Sequence, residues 1–199
     1  MENVPFLSGH FLISGLGLYD PNFFRTVVLL VQHNQDGAFG LVVNRPAKHT
    51  LGTILPQMAD KEAKDIPVYV GGPVQQDFLF VLHQEALPDT SYKYSPAATQ
   101  PVPGLIFEPA THDLLRYLAE EWDKTEAGSR PIIRMYAGYS GWAGGQLERE
   151  LREHAWFTHQ ANADIVFHPN PETAWEAALS EKGEYYKFVA NTGYIPSVN

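Results

Sequence analysis

The chain has 199 residues, 44% of them hydrophobic and 13% aromatic, enough apolar side chain to bury a sizeable core. It contains no cysteine, which removes disulfides, thiolate nucleophiles, Cys-bound zinc and iron–sulfur clusters. With 14 Lys and Arg against 23 Asp and Glu the formal net charge is −9, and a surface of that average sign repels nucleic-acid phosphates.

The first quarter alternates turn signals with apolar runs and predicts three strands, over His10 to Leu16, Thr26 to His33 and Ala38 to Asn44. Asp36-Gly37 lies between the second and third, so these two are expected as an antiparallel hairpin. Asn44-Arg45-Pro46 stops the third strand, and Leu51, Ile54, Leu55 and Met58 recur at helical spacing within Thr50 to Met58. Strands follow over Pro67 to Val70 and Phe78 to His83, separated by Gly71-Gly72-Pro73. Tyr92 to Gly104 carries three prolines and reads mainly as loop, and Leu105 to Glu108 reads as a short strand.

A helix capped by Thr111 follows, with Leu114, Leu115, Leu118 and Trp122 as its apolar stripe, a Glu120–Lys124 pair and an end at Gly128. Ile132 to Tyr136 predicts a strand that leads into a glycine-rich turn from Gly138 to Gly145. A helix is expected from Gln146 to Ala155, with Glu148 to Arg152 and Arg149 to Glu153 paired on its solvent face. Ala163 to His168 reads as a strand, and Asn170-Pro171-Glu172 opens a last helix that ends at Gly183. Strands cluster early and helices late, so the fold class expected is α+β, a mixed sheet open to barrel-like closure with helices beside it, in a single domain over residues 1–199 with room for a subdomain.

Met1-Glu2-Asn3-Val4-Pro5 lacks the basic stretch and apolar run of a secretory leader. The longest apolar stretch, Val27 to Val31, falls short of the roughly 20 residues that cross a bilayer. A cytoplasmic protein with no membrane span is expected.

Gly138-Tyr139-Ser140-Gly141-Trp142 places a serine where a hydrolase would carry its nucleophile, but the pattern needs glycine at the position of Trp142. The same glycines read more readily as a tight aromatic turn, and Gly144-Gly145 at a helix start leaves backbone N–H groups able to hold an anion. The eight histidines show neither His-x-His nor His-Glu-x-x-His spacing, so no metal site is expected. Gly15-x-Gly17 lacks the third glycine of a dinucleotide loop and no Gly-Lys-Ser or Gly-Lys-Thr occurs, so no nucleotide cofactor is expected either. Arg25 and Arg45 flank apolar strands, where each could bind an anion or tie strand ends to carbonyls.

Phe24-Arg25-Thr26-Val27, His33, Gly37-Ala38-Phe39-Gly40, Asn44-Arg45-Pro46, Gly71-Gly72-Pro73-Val74, Leu82-His83 and Gly138 to Trp142 occur in an order and spacing that resemble the YqgE/AlgH family. Gly145-Gln146-Leu147-Glu148 and Trp156 extend the resemblance, which runs from about His10 to Leu179. It implies a bacterial cytoplasmic protein with an α+β fold around a mixed, barrel-like sheet and no established activity, some members being labelled transcriptional regulators. The chain departs from the pattern at His154, where the family often carries Asn before Ala-Trp, and Ser140 occupies a slot that accepts alanine.

The leading functional expectation is a non-catalytic binding or regulatory protein for a small molecule, an anion or a protein partner. Its polar site is expected from Arg25, His33, Asn44, Arg45, Gly71, Gly72, Pro73, Tyr139, Ser140, Trp142 and Gln146, with His83 as a further candidate. Two alternatives stand beside it: an enzyme using His33 or His83 as acid or base beside a carboxylate, and a direct DNA-binding regulator, the least favoured because the chain is acidic.

Overall fold

The computed structural model describes residues 6–84 and 92–194. In chain order the regular elements are β1 (His10–Ser14), β2 (Val27–Asn34), β3 (Gly37–Val42), β4 (Pro46–Thr50), α1 (Leu51–Ile54), β5 (Pro67–Val70), β6 (Val74–Gln84), β7 (Thr99–Val102), β8 (Leu105–Pro109), α2 (His112–Glu120), β9 (Ile133–Ala143), α3 (Gln146–Arg152), β10 (Trp156–Gln160), α4 (Ala163–Val166), α5 (Ala174–Ser180) and α6 (Glu184–Thr192). Short turns of 3-10 helix fill parts of the connections, for example Pro56–Met58 and Trp122–Lys124. The class is α+β, as expected, and the pairing is mixed: β5 runs parallel to β9 while the other pairs are antiparallel. The chain divides into two compact units, residues 1–45 with 140–199 and residues 46–139.

In the first unit the strands lie in the order β10-β1-β2-β3, with residues 140–143 of β9 completing the set beside β3. The β2–β3 hairpin forms as predicted, turning through Gln35 and Asp36 between paired Asn34 and Gly37. Asn34 Oδ1 accepts the Asp36 N–H at 2.8 Å and shapes that turn. Gly37 is required there: its φ is +143°, and a Cβ would lie 2.1 Å from the Trp142 carbonyl oxygen on the neighbouring strand. One face of this sheet packs Leu12, Val28, Leu30, Ala38 and Val42 against Trp142, Trp156 and Leu147 of α3. Trp175 of α5 is 1% exposed and donates its indole N–H to the Ser14 carbonyl at 3.0 Å, which ties that helix to β1.

In the second unit β6 lies between β9 and β8, β7 pairs with the outer side of β8, and β5 pairs with β4 and with β9. Its core gathers Val68, Val81, Ile133 and Met135 from the strands with Leu51, Met58, Leu114, Leu118 and Trp122. Thr111 caps α2 as its sequence suggests, accepting the Leu114 N–H at 3.3 Å. The helix stops at Glu120, however, and Lys124 reaches Glu121 at 2.7 Å instead of Glu120, because the chain tightens into a 3-10 turn at Trp122.

Several sequence expectations are overturned. Residues 138–143 form the second half of β9, and the glycine-rich turn shrinks to Gly144-Gly145. Gly138 adopts φ +70°, and a Cβ there would meet the Val74 and Gly72 carbonyls at 2.7 and 2.8 Å, so this glycine permits close strand contact rather than a reversal. Thr99–Val102 is a strand despite Pro101, which its edge position tolerates. Ala163–Val166 is a helical turn capped by Asn162, and the strand lies earlier, over Trp156–Gln160. Pro171 precedes rather than begins its helix: Asn170 closes a turn onto the Glu172 N–H, and α5 starts at Ala174. Gly183 separates α5 from a further helix, α6, instead of ending the last one.

His154 follows α3 with φ +57°, a left-handed conformation that asparagine adopts more readily than histidine.

Two outcomes are expected in urea unfolding. Gly37→Ala lowers stability by at least about 1–2 kcal/mol through left-handed strain, with the clash added, whereas Gly17→Ala, with open space around it, stays within about 0.5 kcal/mol of the parent. His154→Asn raises stability by about 0.5 kcal/mol.

Candidate functional site

Arg25, Asn44 and Arg45 come together at the start of β2. Asn44 Oδ1 accepts the Val27 N–H at 2.8 Å and its Nδ2 donates to the Arg25 carbonyl at 3.0 Å. The Arg45 guanidinium donates to the carbonyls of Pro21, Asn22 and Phe24 at 3.0, 2.7 and 3.3 Å, so its fork holds the 20–25 loop. Burial lowers the pKa of Arg45 from its ordinary value, with nearby Asp20 opposing. Arg25 is the exposed member of the group: its guanidinium lies 5.2 Å from the Trp175 ring centroid and 3.8 Å from the Glu176 carboxylate. Arg25 itself sits at φ +51°, held by the bonds on either side.

His33 occupies the other end of the same strand, six residues and about 20 Å from Val27. Its Nδ1 accepts the Leu7 N–H at 2.9 Å and its Nε2 lies 3.1 Å from Glu148 Oε1. Glu148 thus turns to His33, not to Arg152 on a solvent face. Glu150, one turn along α3 from Gln146, is the acceptor for three groups: the indole N–H of Trp142 at 2.9 Å, that of Trp156 at 2.8 Å and Gln146 Nε2 at 2.9 Å. The Gln146 Oε1 accepts the Ala143 N–H, closing the helix entry. Ser140 is fully buried inside β9, so the strand-to-helix elbow of a serine hydrolase is not formed at this residue.

In the second unit His83 and Glu108 form a fully buried pair, Nε2 to Oε1 at 3.1 Å, on paired strands β6 and β8. The other ring nitrogen lies 2.6 Å from the Gln84 carbonyl. Glu108 also accepts the Tyr92 hydroxyl at 2.8 Å and the Ser95 N–H at 2.9 Å. Burial by itself would raise the Glu108 carboxyl, but the bonds from His83, Ser95 and Tyr92 outweigh it and hold the group below the usual carboxylate range. Burial together with the Glu108 carboxylate pushes the Tyr92 phenol far up, so it stays a donor. Both candidate histidines therefore have the carboxylate that an acid–base role needs, yet both side chains are 0% exposed.

The Gly71-Gly72-Pro73 turn joins β5 to β6, and Tyr139 of β9 pairs with Val74 just beyond it. Between Val74 and Leu79 strand β6 bulges away from β9, with Gln75 at φ +48° and residues 75–78 exposed. Gln76 Nε2 returns to the Gly72 carbonyl at 3.2 Å. Beside this bulge lies a cavity of about 380 Å³, lined by Ala47, Ile54, Leu55, Val68, Val70, Leu79 and Ala137 with His49, Gln76 and Asp77 on its polar side. The carboxylate of Asp77 and the imidazole of His49 make no hydrogen bond or ion pair with the described residues, unlike His33, His83, Asn44 and Arg45. Among the described residues no group of three His, Asp or Glu side chains is placed to hold a metal ion, and no helix is long and apolar enough to cross a membrane.

Sequence reasoning missed Glu108, Tyr92, Glu148 and Glu150 as partners, and it missed the cavity. Carboxylates carry no local pattern, and the His33–Glu148 and His83–Glu108 pairs span 115 and 25 residues.

A family described as AlgH-like matches residues 11–187 of the chain. The UPF0301 protein Tgr7_2910 of Thioalkalivibrio sulfidiphilus is 38% identical over 179 residues, covering 88% of this chain and 89% of its own. The UPF0301 protein CT0663 of Chlorobaculum tepidum is 34% identical over 191 residues, covering 96% and 95%. The solution structure of the AlgH protein from Pseudomonas aeruginosa superposes with a TM-score of 0.69 at 34% identity over 100% of both chains. Protein DIP2367 from Corynebacterium diphtheriae shares the fold at a TM-score of 0.70 and 21% identity, covering 96% of this chain and 94% of its own.

Because Glu108 is held below its ordinary value of 4.5, its share of stability is present above that value and is lost as pH falls through it toward the folded-state value. Urea unfolding of the parent is expected to weaken over this window more than that of Glu108→Gln. At pH 7 the variant is destabilised by about 3–5 kcal/mol, the usual effect of removing one partner from a buried pair.

Proposed function

The chain belongs to the AlgH-like family, and from that premise we propose that it is a non-catalytic binding protein whose ligand site is the apolar cavity bordered by β4, β5, β6 and β9. The observation that carries this reading is the contrast in how polar groups are used. Arg45, Asn44, His33, Gln146 and His83 are each committed to bonds within the fold, whereas the cavity has an apolar lining and two uncommitted polar side chains, His49 and Asp77. A few polar groups on an apolar wall is the usual make-up of a small-molecule site, and about 380 Å³ falls within the common range for one.

Of the residues singled out from sequence, the Gly71-Gly72-Pro73 turn belongs to this reading, since Gln76 reaches the cavity rim from its bond to Gly72. Catalysis by His33 or His83 has less support, because a substrate proton must reach a ring that is 0% exposed in each case. A formal charge of −9 gives a direct DNA-binding role no support. The relatives are bacterial, and on this reading the protein works in the cytoplasm.

An NMR screen of small apolar fragments against the full chain tests the reading. Binding fragments are expected to shift the amides of Val70, Leu79 and Ala137, and Ala137→Leu, which fills the cavity, is expected to weaken them at least about tenfold. Shifts concentrated elsewhere, or binding unchanged in Ala137→Leu, would overturn it.

A further inference from the structure

We infer that the cavity selects a cationic ligand: an ammonium or similar hydrogen-bond-donating head attached to a compact apolar body, with Asp77 as its counter-charge. The inference rests on the proposed site and concerns what that site would take.

The walls define the body. Ala47, Ile54, Leu55, Val68, Val70, Leu79 and Ala137 are aliphatic, so the inner part of a ligand meets no donor or acceptor from their side chains. A polar group placed against them would lose its water without replacement.

The polar side chains define the head. Gln76 donates its amide nitrogen to the Gly72 carbonyl, an acceptor that cannot be matched by the other end of the amide. That bond fixes the amide so that the Gln76 Oε1 is free to accept from a ligand, beside one remaining N–H. Asp77 adds a carboxylate that also only accepts when ionised, and it has no cation, donor or capping role within the described residues. His49, when neutral, can accept through one ring nitrogen and donate through the other, so it suits an ammonium without itself deciding the sign. No Lys or Arg lines the cavity, so no permanent cation there would balance an anionic head, while the acidic chain as a whole favours the approach of a cation. A carboxylate or phosphate head would face Asp77 with like charge.

Three isosteric probes separate the body from the head: cyclohexylmethylammonium, cyclohexylmethanol and cyclohexanecarboxylate, titrated by NMR into the full-length protein. The ammonium is expected to bind about tenfold more tightly than the alcohol, and the carboxylate more weakly than either. Asp77 is exposed, so Asp77→Asn is expected to fold normally and to bring ammonium and alcohol within about threefold of each other. A carboxylate that binds as tightly as the ammonium, or an ammonium preference that survives in Asp77→Asn, overturns the charge assignment and leaves the cavity as a site. Failure of all three probes to bind the parent overturns the site and the charge assignment together.

Discussion

The structure depends first on the backbone of one strand. β9 is 11 residues long, and its N–H and C=O groups serve three other strands: residues 140–143 pair with β3, and residues 133–139 pair with β6 and with β5. Along the buried stretch from Ile133 to Tyr136 an unpaired main-chain group would carry a penalty comparable to a lost hydrogen bond. One glycine within this strand is explained by that demand. Gly138 lets the Gly72 and Val74 carbonyls approach where a side chain would exclude them. A motif that looks in sequence like a turn made for chemistry is instead a strand kept slender for pairing.

That misreading marks the limit of local inference. The β2–β3 hairpin, β5, β8 and the Thr111-capped helix were legible because their signals are local: a turn dipeptide, a run of β-branched residues, a capping hydroxyl at the head of an apolar stripe. Residues 138–143 were not, because glycine and serine weaken a strand signal and only the facing strands supply the reason to extend. β7 was hidden by Pro101, harmless at an edge. Short apolar runs such as Ile165-Val166-Phe167 fit helix and strand equally, and the Asn162 cap decides between them.

The candidate site was legible in a different proportion. Sequence drew attention to arginines, histidines and glycines because those residue types so often do chemistry. In the folded chain most of them hold the fold: Arg45 fastens a loop by three carbonyls, and His33 and His83 each have a buried edge against a glutamate. A resemblance built on such residues therefore identifies a family reliably while saying little about ligand. The walls of the cavity are Ala, Ile, Leu and Val, which a sequence reading assigns to the core, and the space they line lies beside the bulge in β6.

The placing of the four tryptophans has an optical consequence. Trp142, Trp156 and Trp175 belong to the first unit, the former two with their indole N–H groups on the Glu150 carboxylate, while Trp122 is alone in the second. Indole emission therefore reports chiefly on the first unit, and the electric field of Glu150 acts directly on two of its chromophores. Tyrosine signals weigh the other way, since Tyr69, Tyr92, Tyr94, Tyr117, Tyr136 and Tyr139 all lie in the second unit. Indole and phenol signals are thus weighted toward different halves of the chain, and melting curves of the two that fail to coincide mark a molecule whose halves unfold in separate steps.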